Sequence, residues 1–516
     1  MNYFLSHRTE VLQALLEHLG LTLLSLLLAA LIAVPAGIAI SRRKAWASTV
    51  LGVAGVLQTI PSIALLGSLI PLLGIGFKPA IFTLLLYAIL PILRNTYTGI
   101  QGVDPAVKEA AKGLGLTPQQ VLRQVELPLA APVILAGLRT AAVINVGVAT
   151  LAAYIGAGGL GDFIFKGIAL DQGDMILAGA VPAALLAILM DQGLAFLSQL
   201  PLRRAGVVLA SIIGLVLGLF LYQNVRPSFT DTPPVLQAAF DPEFAERPDC
   251  MPSVRAKYPG LELDYKTVNP GLLYEAVASG EVDIISGYST DGRIQAYELR
   301  VLADDRHAFP PYQCGIVLNE ATAQRYPALV TALEKLNGRF SDSLMTALNF
   351  AVDHQKEDPA VVAQDFLRRQ ALLGPSAAPQ RAVAPIRIGS KLFTEQYILA
   401  EIFRQLIEHE TGLAVELKTG LGGTQICYAA LRAGEIDLYA EYSGTGLQVL
   451  LDPPPTLLER IITDPAAVYT YVQRECLAQH QARWLPTLGF SNTYALVTRE
   501  ALARERAWVR ISDLVE

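Results

Sequence analysis

Apolar residues are concentrated in the first 225 positions, in six runs near residues 15–40, 47–74, 78–96, 131–157, 174–199 and 206–223. Each approaches or exceeds the ~20 residues that a helix needs to cross a bilayer, so the pattern predicts a polytopic α-helical membrane domain of about six spans. Basic residues occupy alternate connections: Arg42, Arg43 and Lys44 after the first run, Lys108, Lys112 and Arg123 between the third and fourth, Arg203 and Arg204 after the fifth. With these loops in the cytoplasm the positive-inside rule is obeyed throughout. The N-terminus and everything beyond the sixth run then lie outside. The first run is too long for a signal-peptide core and has no basic residues immediately before it, so no cleavable leader is expected.

Beyond Asn224 the pattern changes. A short polar and proline-rich stretch gives way to alternating helical and strand-like segments, which predicts an α/β architecture. The expected organisation is a membrane domain over 1–224, a linker over 225–234, one lobe with closing helices over 235–374, a Pro/Ala-rich joint over 375–385 and a second lobe over 386–516. The two segments echo one another. The stretch from Tyr274 through Asp283 to Tyr288 aligns without a gap to that from Tyr428 through Asp437 to Tyr442. A second echo relates Phe309 to Tyr312 with Phe490 to Tyr494. Two related lobes around a cleft are expected, and ligands of α/β sheets sit beyond the carboxyl ends of strands. Residues 282–285 and 436–439 read as strands, which puts Tyr288 and Tyr442 at that edge, one from each lobe.

Composition narrows the function. Hydrophobic residues make up 52% and charged residues only 17%, too oily for an ordinary soluble enzyme. A formal charge of −6 gives no reason to expect nucleic acid as a partner. Cys250, Cys314, Cys427 and Cys476 match no zinc spacing; buried thiols are expected rather than a disulfide, and neither metal nor cofactor is anticipated. The sequence contains no GxxxxGK[ST] phosphate loop, and Gly420 to Thr424 is glycine-rich without the lysine, so no means of binding ATP is evident in the chain itself. No nucleophile–base constellation suggests an enzyme. Asn145 and Asp191 fall inside predicted spans, where polar groups usually face a bundle interior, and packing between helices is expected of both.

The connection over about 101–128 carries the strongest motif: Glu109-Ala110-Ala111, then Gly115, then Leu127-Pro128. Asp104 can cap a helix with Pro105 in its first turn, and Gly115 suits a left-handed ending. Thr117 and Gln120 form a capping-box pattern around Pro118. Pro128 disfavours the helical conformation at Leu127, so the second short helix is expected to stop there. The pattern resembles the coupling loop of binding-protein-dependent ABC permeases of the type I importer class, over roughly residues 15–200. The resemblance implies that this loop docks on an ATPase subunit and that two permease chains, here a homodimer, share one path through the lipid bilayer.

The external half resembles the glycine betaine/choline/carnitine-type osmoprotectant binding proteins, two-lobed α/β domains of type II. The resemblance rests on Gly389 to Gln396, Gly422-Gly423-Thr424, Glu441 to Thr445, Asn492-Thr493-Tyr494, Tyr288 to Arg293 and Phe309 to Tyr312, and covers nearly all of 235–516. In that family the segment beginning Gly-Ser-Lys comes first. Here the order is reversed, which implies a circularly permuted domain; the alternative is a truncated tandem pair. The implied ligand is a small quaternary-ammonium solute. A trimethylammonium head has no N–H donor, so aromatic faces must select it, at ~0.5–2 kcal/mol per contact. Fourteen of the 19 tyrosines lie after residue 225, enough to build such a cage. Tyr288, Tyr312, Tyr442 and Tyr494 are the candidate cage, with Gln396 and Asn492 as polar contacts. Tyr274 and Tyr428 read as core, and Tyr469 stays open. The implied location is a bacterial cytoplasmic membrane, with the binding domain on the extracytoplasmic side. Two other readings remain: an importer of an amino acid anchored by Arg293 and Asp291, and a solute-sensing membrane receptor, which leaves the Glu-Ala-Ala loop unexplained.

Overall fold

The computed structural model describes residues 2–197, 199, 211, 214, 218, 236–373 and 384–515. They divide into a helical unit that takes in Met1–Ile168 and Gln172–Pro233 and an α/β unit built on Pro234–Glu516.

The helical unit contains α1 (Arg8–Arg42), α2 (Lys44–Thr59), α3 (Ser62–Leu73), α4 (Phe77–Gln101), the short α5 (Pro105–Gly113) and α6 (Pro118–Val121), α7 (Leu127–Ala152) and α8 (Gly173–Leu197). Among the described residues, four helices are long and apolar enough to cross a membrane, and α2 with α3 makes a fifth if the bent pair is one span. This corrects the expectation of one straight span over 47–74: the chain bends by 92° between the two. Pro61 bars helical backbone at the residue before it, and Ile60 is extended, at φ −65° and ψ 126°. The Tyr87 hydroxyl donates to the Ile60 carbonyl that the break leaves free. The sixth expected span, over 206–223, lies almost wholly outside the described residues. Close packing needs small residues where helices cross. At Gly137 of α7 a Cβ would come within 2.8 Å of the Pro91 carbonyl of α4. Asn145 packs between helices as expected, its amide donating to Ser25 Oγ at 2.9 Å.

Among the described residues the α/β unit holds ten strands in two five-stranded sheets. The first orders β2 (Leu263–Thr267), β1 (Leu236–Phe240), β3 (Ile284–Tyr288), β10 (Tyr494–Arg499) and β4 (Leu299–Val301). The second orders β7 (Val415–Gly422), β6 (Ile386–Lys391), β8 (Leu438–Tyr442), β5 (Cys314–Asn319) and β9 (Ala482–Trp484). In each, three parallel strands are followed by one antiparallel strand. That antiparallel strand comes from the other half of the sequence. The lobes are therefore not 235–374 and 386–516, as the linear reading had them: each segment lends one strand to its counterpart. The two chains crossing between sheets run side by side, with Gln313 bridged to Ser491 and Cys314 N–H donating to the Phe490 carbonyl at 3.0 Å. Pairing the crossovers satisfies backbone groups that a lone buried connection would leave bare. The four cysteines are separate, buried thiols in this unit.

Candidate ligand cage and coupling loop

The connection over 101–128 is built largely as its residues dictate. Asp104 caps α5 by accepting the Ala106 N–H at 2.8 Å. Gly115 takes φ +81°, and the next residue, Leu116, donates its N–H back to the Ala111 carbonyl. Thr117 and Gln120 close a reciprocal capping box at the start of α6. Glu109 and Ala110 are exposed while Ala111 is buried. Leu114, 82% exposed, and Val107 stand out as apolar knobs beside them.

Leu127 and Pro128 do not end a helix. Leu127 is helical, at φ −63° and ψ −44°, and the chain runs from α6 through a π turn at Leu122–Glu126 directly into α7. The wide turn bonds Leu127 N–H to the Leu122 carbonyl, one residue further back than an α-helix would, so the proline ring and its missing donor are accommodated in the helix's first turn. Glu126, buried in this turn, is gripped by the Arg42 guanidinium at the end of α1, with Lys108 of α5 at 3.8 Å.

In the α/β unit all four candidate tyrosines converge at the crossover. Tyr288 ends β3 and is paired in register with Tyr494, which begins β10. Tyr442 ends β8 and is paired with Cys314 of β5, two residues after Tyr312. Their rings form a continuous run. Tyr494 lies 5.0 Å from Tyr288 and 5.7 Å from Tyr312, edge-on to the latter. Phe393 joins the two sheets, near-parallel to Tyr288 at 5.1 Å and to Tyr442 at 6.3 Å. Gln396 and Asn492 are buried and reach the same cluster: Gln396 donates to the Tyr442 hydroxyl at 3.1 Å, and Asn492 to Glu395 at 3.0 Å.

Glu395 was not singled out by sequence reasoning, yet it organises the site. It is fully enclosed and accepts from the Tyr442 hydroxyl at 2.6 Å, Thr290 at 2.6 Å, Asn492 at 3.0 Å and Asn349 at 3.2 Å. Burial pushes its carboxyl above the usual range, against those four donors, which hold it down. Arg247 was also missed. Its guanidinium sits 5.3 Å from the Tyr494 ring centre, bonded twice to Asp249 and once each to Glu243 and Thr445. Asp249 in turn accepts the Tyr312 hydroxyl at 2.6 Å. Lys391 stands 5.3 Å from the Tyr442 ring and pairs with buried Glu441 at 2.6 Å. Asp241 caps the short helix Pro242–Glu246, and burial raises its carboxyl to about 6. Phe393, Lys391, Glu395 and Thr290 lie inside motif segments already noted at the sequence level. For Arg247 and Asp249 no such signal existed.

The remaining candidates separate from the cage. Tyr274, Tyr428 and Tyr469 are core residues. Arg293 and Asp291 pair with each other at 2.7 Å, with the guanidinium stacked 4.1 Å above Tyr274. Among the described residues no group of His, Cys, Asp and Glu could hold a metal ion.

A bundle of membrane-length helices with a capped two-helix loop, in one chain with a two-sheet α/β unit whose aromatic residues meet at its paired crossovers, defines an import permease fused to a solute-binding domain. The model described as "Substrate binding domain of ABC-type glycine betaine transport system" matches residues 228–369 and 384–516. "Binding-protein-dependent transport system inner membrane component" matches residues 25–229. The chain belongs to the ABC-type glycine betaine transport family, with the permease and the substrate-binding domain in one polypeptide; it is a membrane transport protein and not an enzyme. Its membrane part is 51% identical over 186 residues to the choline transport system permease protein OpuBB of Bacillus subtilis, covering 36% of this chain and 86% of that one. It is 48% identical over 195 residues to the glycine betaine/carnitine/choline permease OpuCB of the same organism, covering 38% and 90%. A crystal structure of a glycine betaine/carnitine/choline ABC transporter is 34% identical, covering 26% of this chain and 49% of that one, with a TM-score of 0.22.

Proposed function

We propose that this chain captures a trimethylammonium solute in the cage of Tyr288, Tyr312, Tyr442, Tyr494 and Phe393 and passes it through its own membrane helices. The observation that carries the reading is the meeting of aromatic rings from both sheets at the paired crossovers, where a hinge motion would open or close them on a cation. The wall suits a positive head. Asp241, Glu243, Asp249, Glu395 and Glu441 surround the rings, while Arg247 and Lys391 are committed to carboxylates. Each ring face adds attraction without needing a hydrogen bond from the ligand.

The Glu109-Ala110-Ala111 connection faces the cytoplasm and the binding unit the outside, a reading supported by the basic residues in alternate loops. The exposed Leu114 and Val107 flank that motif as a docking surface for a separate ATPase. Two copies of the chain around one path, with two ATPase subunits, complete the importer. The binding domain is a circular permutant. In support, Gly260, three residues before β2, has its Cβ direction 3.2 Å from Val515, so the chain end lies by the sheet edge where β1 also begins.

Calorimetric titration of the chain with choline, glycine betaine and carnitine tests the ligand class. Choline is expected to bind at least about tenfold more tightly than its neutral isostere 3,3-dimethylbutan-1-ol. Equal affinity for the two would overturn the cage.

A further inference from the structure

Asp191 does not merely pack between helices. Arg139 of α7 holds it through two parallel bonds, Nε to Oδ1 and Nη2 to Oδ2, both 2.8 Å. Both side chains remain about a third exposed, at 36% and 37%. Arg139 lies 12 residues beyond Leu127, or ~18 Å along the helix, deep within the membrane-crossing length. A charged pair at that depth is costly against hydrocarbon and is ordinarily turned toward a bundle interior or a water-filled cavity.

The surroundings distinguish these settings. The pair opens onto a groove of about 380 Å³ whose other lining residues are Ala136, Thr140, Val143 and Ile144. Along α7 beyond Pro128 the exposed positions run from Leu129, Pro132 and Val133 to Ala136, Thr140, Val143 and Gly147, so the face on either side of Arg139 narrows to mostly small or polar residues. Along α8 most are bulky and apolar, among them Leu177, Val181, Leu185, Leu189 and Phe196, with Ala184, Gln192 and Gly193 the small or polar exceptions after its first turn. The α8 face suits acyl chains, whereas the α7 side of the groove suits water.

We propose that the Arg139–Asp191 groove lines the path by which cargo crosses the membrane and is a transient site for it. Asp191 receives the trimethylammonium head, and Arg139 the carboxylate where the solute has one. For a solute that carries both charges the pair exchanges partners one for one, so neither side chain is left without a counter-charge, and a site on a path must release as readily as it binds. The proposal rests on the transport reading above.

The test uses the full chain assembled with its ATPase in vesicles, carrying Thr140→Cys. The native cysteines are buried in the α/β unit, so a charged, membrane-impermeant methanethiosulfonate reports on position 140. Expected are rapid modification of Cys at 140, slowed at least about threefold by saturating choline or glycine betaine, and no modification of a Leu185→Cys control. Reaction at position 140 only with a lipid-soluble maleimide would overturn the aqueous path. Reaction indifferent to both solutes would overturn the cargo site, as would an Arg139→Ala/Asp191→Ala variant that binds solute outside normally and imports at the parent rate. Solute binding to the same preparation is measured in parallel. Its absence strikes the transport reading, whereas normal binding with an unreactive position 140 strikes this proposal alone.

Discussion

Tyr442 carries two roles that its neighbours divide. Its ring belongs to the proposed cage, and its hydroxyl donates to buried Glu395. Replacing Tyr288 or Tyr442 by alanine removes a cation-facing ring and its packing, and should weaken trimethylammonium binding by one to three orders of magnitude, roughly. Phenylalanine separates the roles. Tyr288→Phe should bind within a few fold of the parent, whereas Tyr442→Phe leaves Glu395 short of a donor and should cost about 1–3 kcal/mol of stability. Calorimetric titration and urea unfolding of each variant check both statements. Asp241 adds a pH dependence. Its folded-state carboxyl is raised to about 6, so the folded chain holds this proton more tightly than the unfolded one. The group therefore favours folding most at acid pH, and that contribution is lost as pH rises through about 6. A bound cation favours the ionised form, so the sign reverses for the ligand: choline affinity should rise several fold between about pH 5 and 7. Asp241→Asn retains a helix cap and should flatten that rise; an unchanged profile would remove Asp241 from the ligand's field.

At the scale of elements, Gly115 tests the coupling loop cleanly. Its φ is +81°, and nothing lies within 4 Å of the Cβ direction. Gly115→Val therefore meets no clash, and its cost is backbone strain of about 1–2 kcal/mol. Solute binding should survive while solute-stimulated ATP hydrolysis falls; undiminished hydrolysis in correctly inserted protein would contradict the loop's proposed role. The same loop shows where local rules suffice. Asp104, Gly115, Thr117 and Gln120 act on neighbours within a few residues, and each does what its chemistry prescribes. Pro128 does not, because a π turn, with Glu126 buried against Arg42 from another helix, changes the geometry that the proline meets. The bend at Ile60-Pro61 was equally missed. An uninterrupted apolar run gives no sign of direction, although the proline that turns it stands in plain view.

For the molecule as a whole, the exchanged strands make a sharp prediction. Residues 386–516 alone would have β6 to β9 without β5, which separates β8 from β9, and β10 without its partners β3 and β4. That fragment should neither fold cooperatively nor bind choline, while adding residues 235–374 should restore both, as read by circular dichroism and calorimetry. A chain reordered as 386–516 followed by 235–374 should bind like the parent if the domain is a permutant. The linear pattern sufficed for the four long membrane helices, the α/β alternation and the tyrosines at strand ends, since each depends on periodicity and residue type along a few turns or one strand. It also carried the internal echo, because two similar half-sheets need similar sequences. Which strand completes which sheet is another matter. The residues of β5 and β10 carry no local mark of the sheet each will join, and the pairing of the two crossovers accompanies the exchange of both strands. Tertiary packing brings Glu395, Arg247 and Phe393 to the four tyrosines, because a buried charge finds its donors through space, and residues 105 positions apart, such as Thr290 and Glu395, become neighbours only when the fold closes.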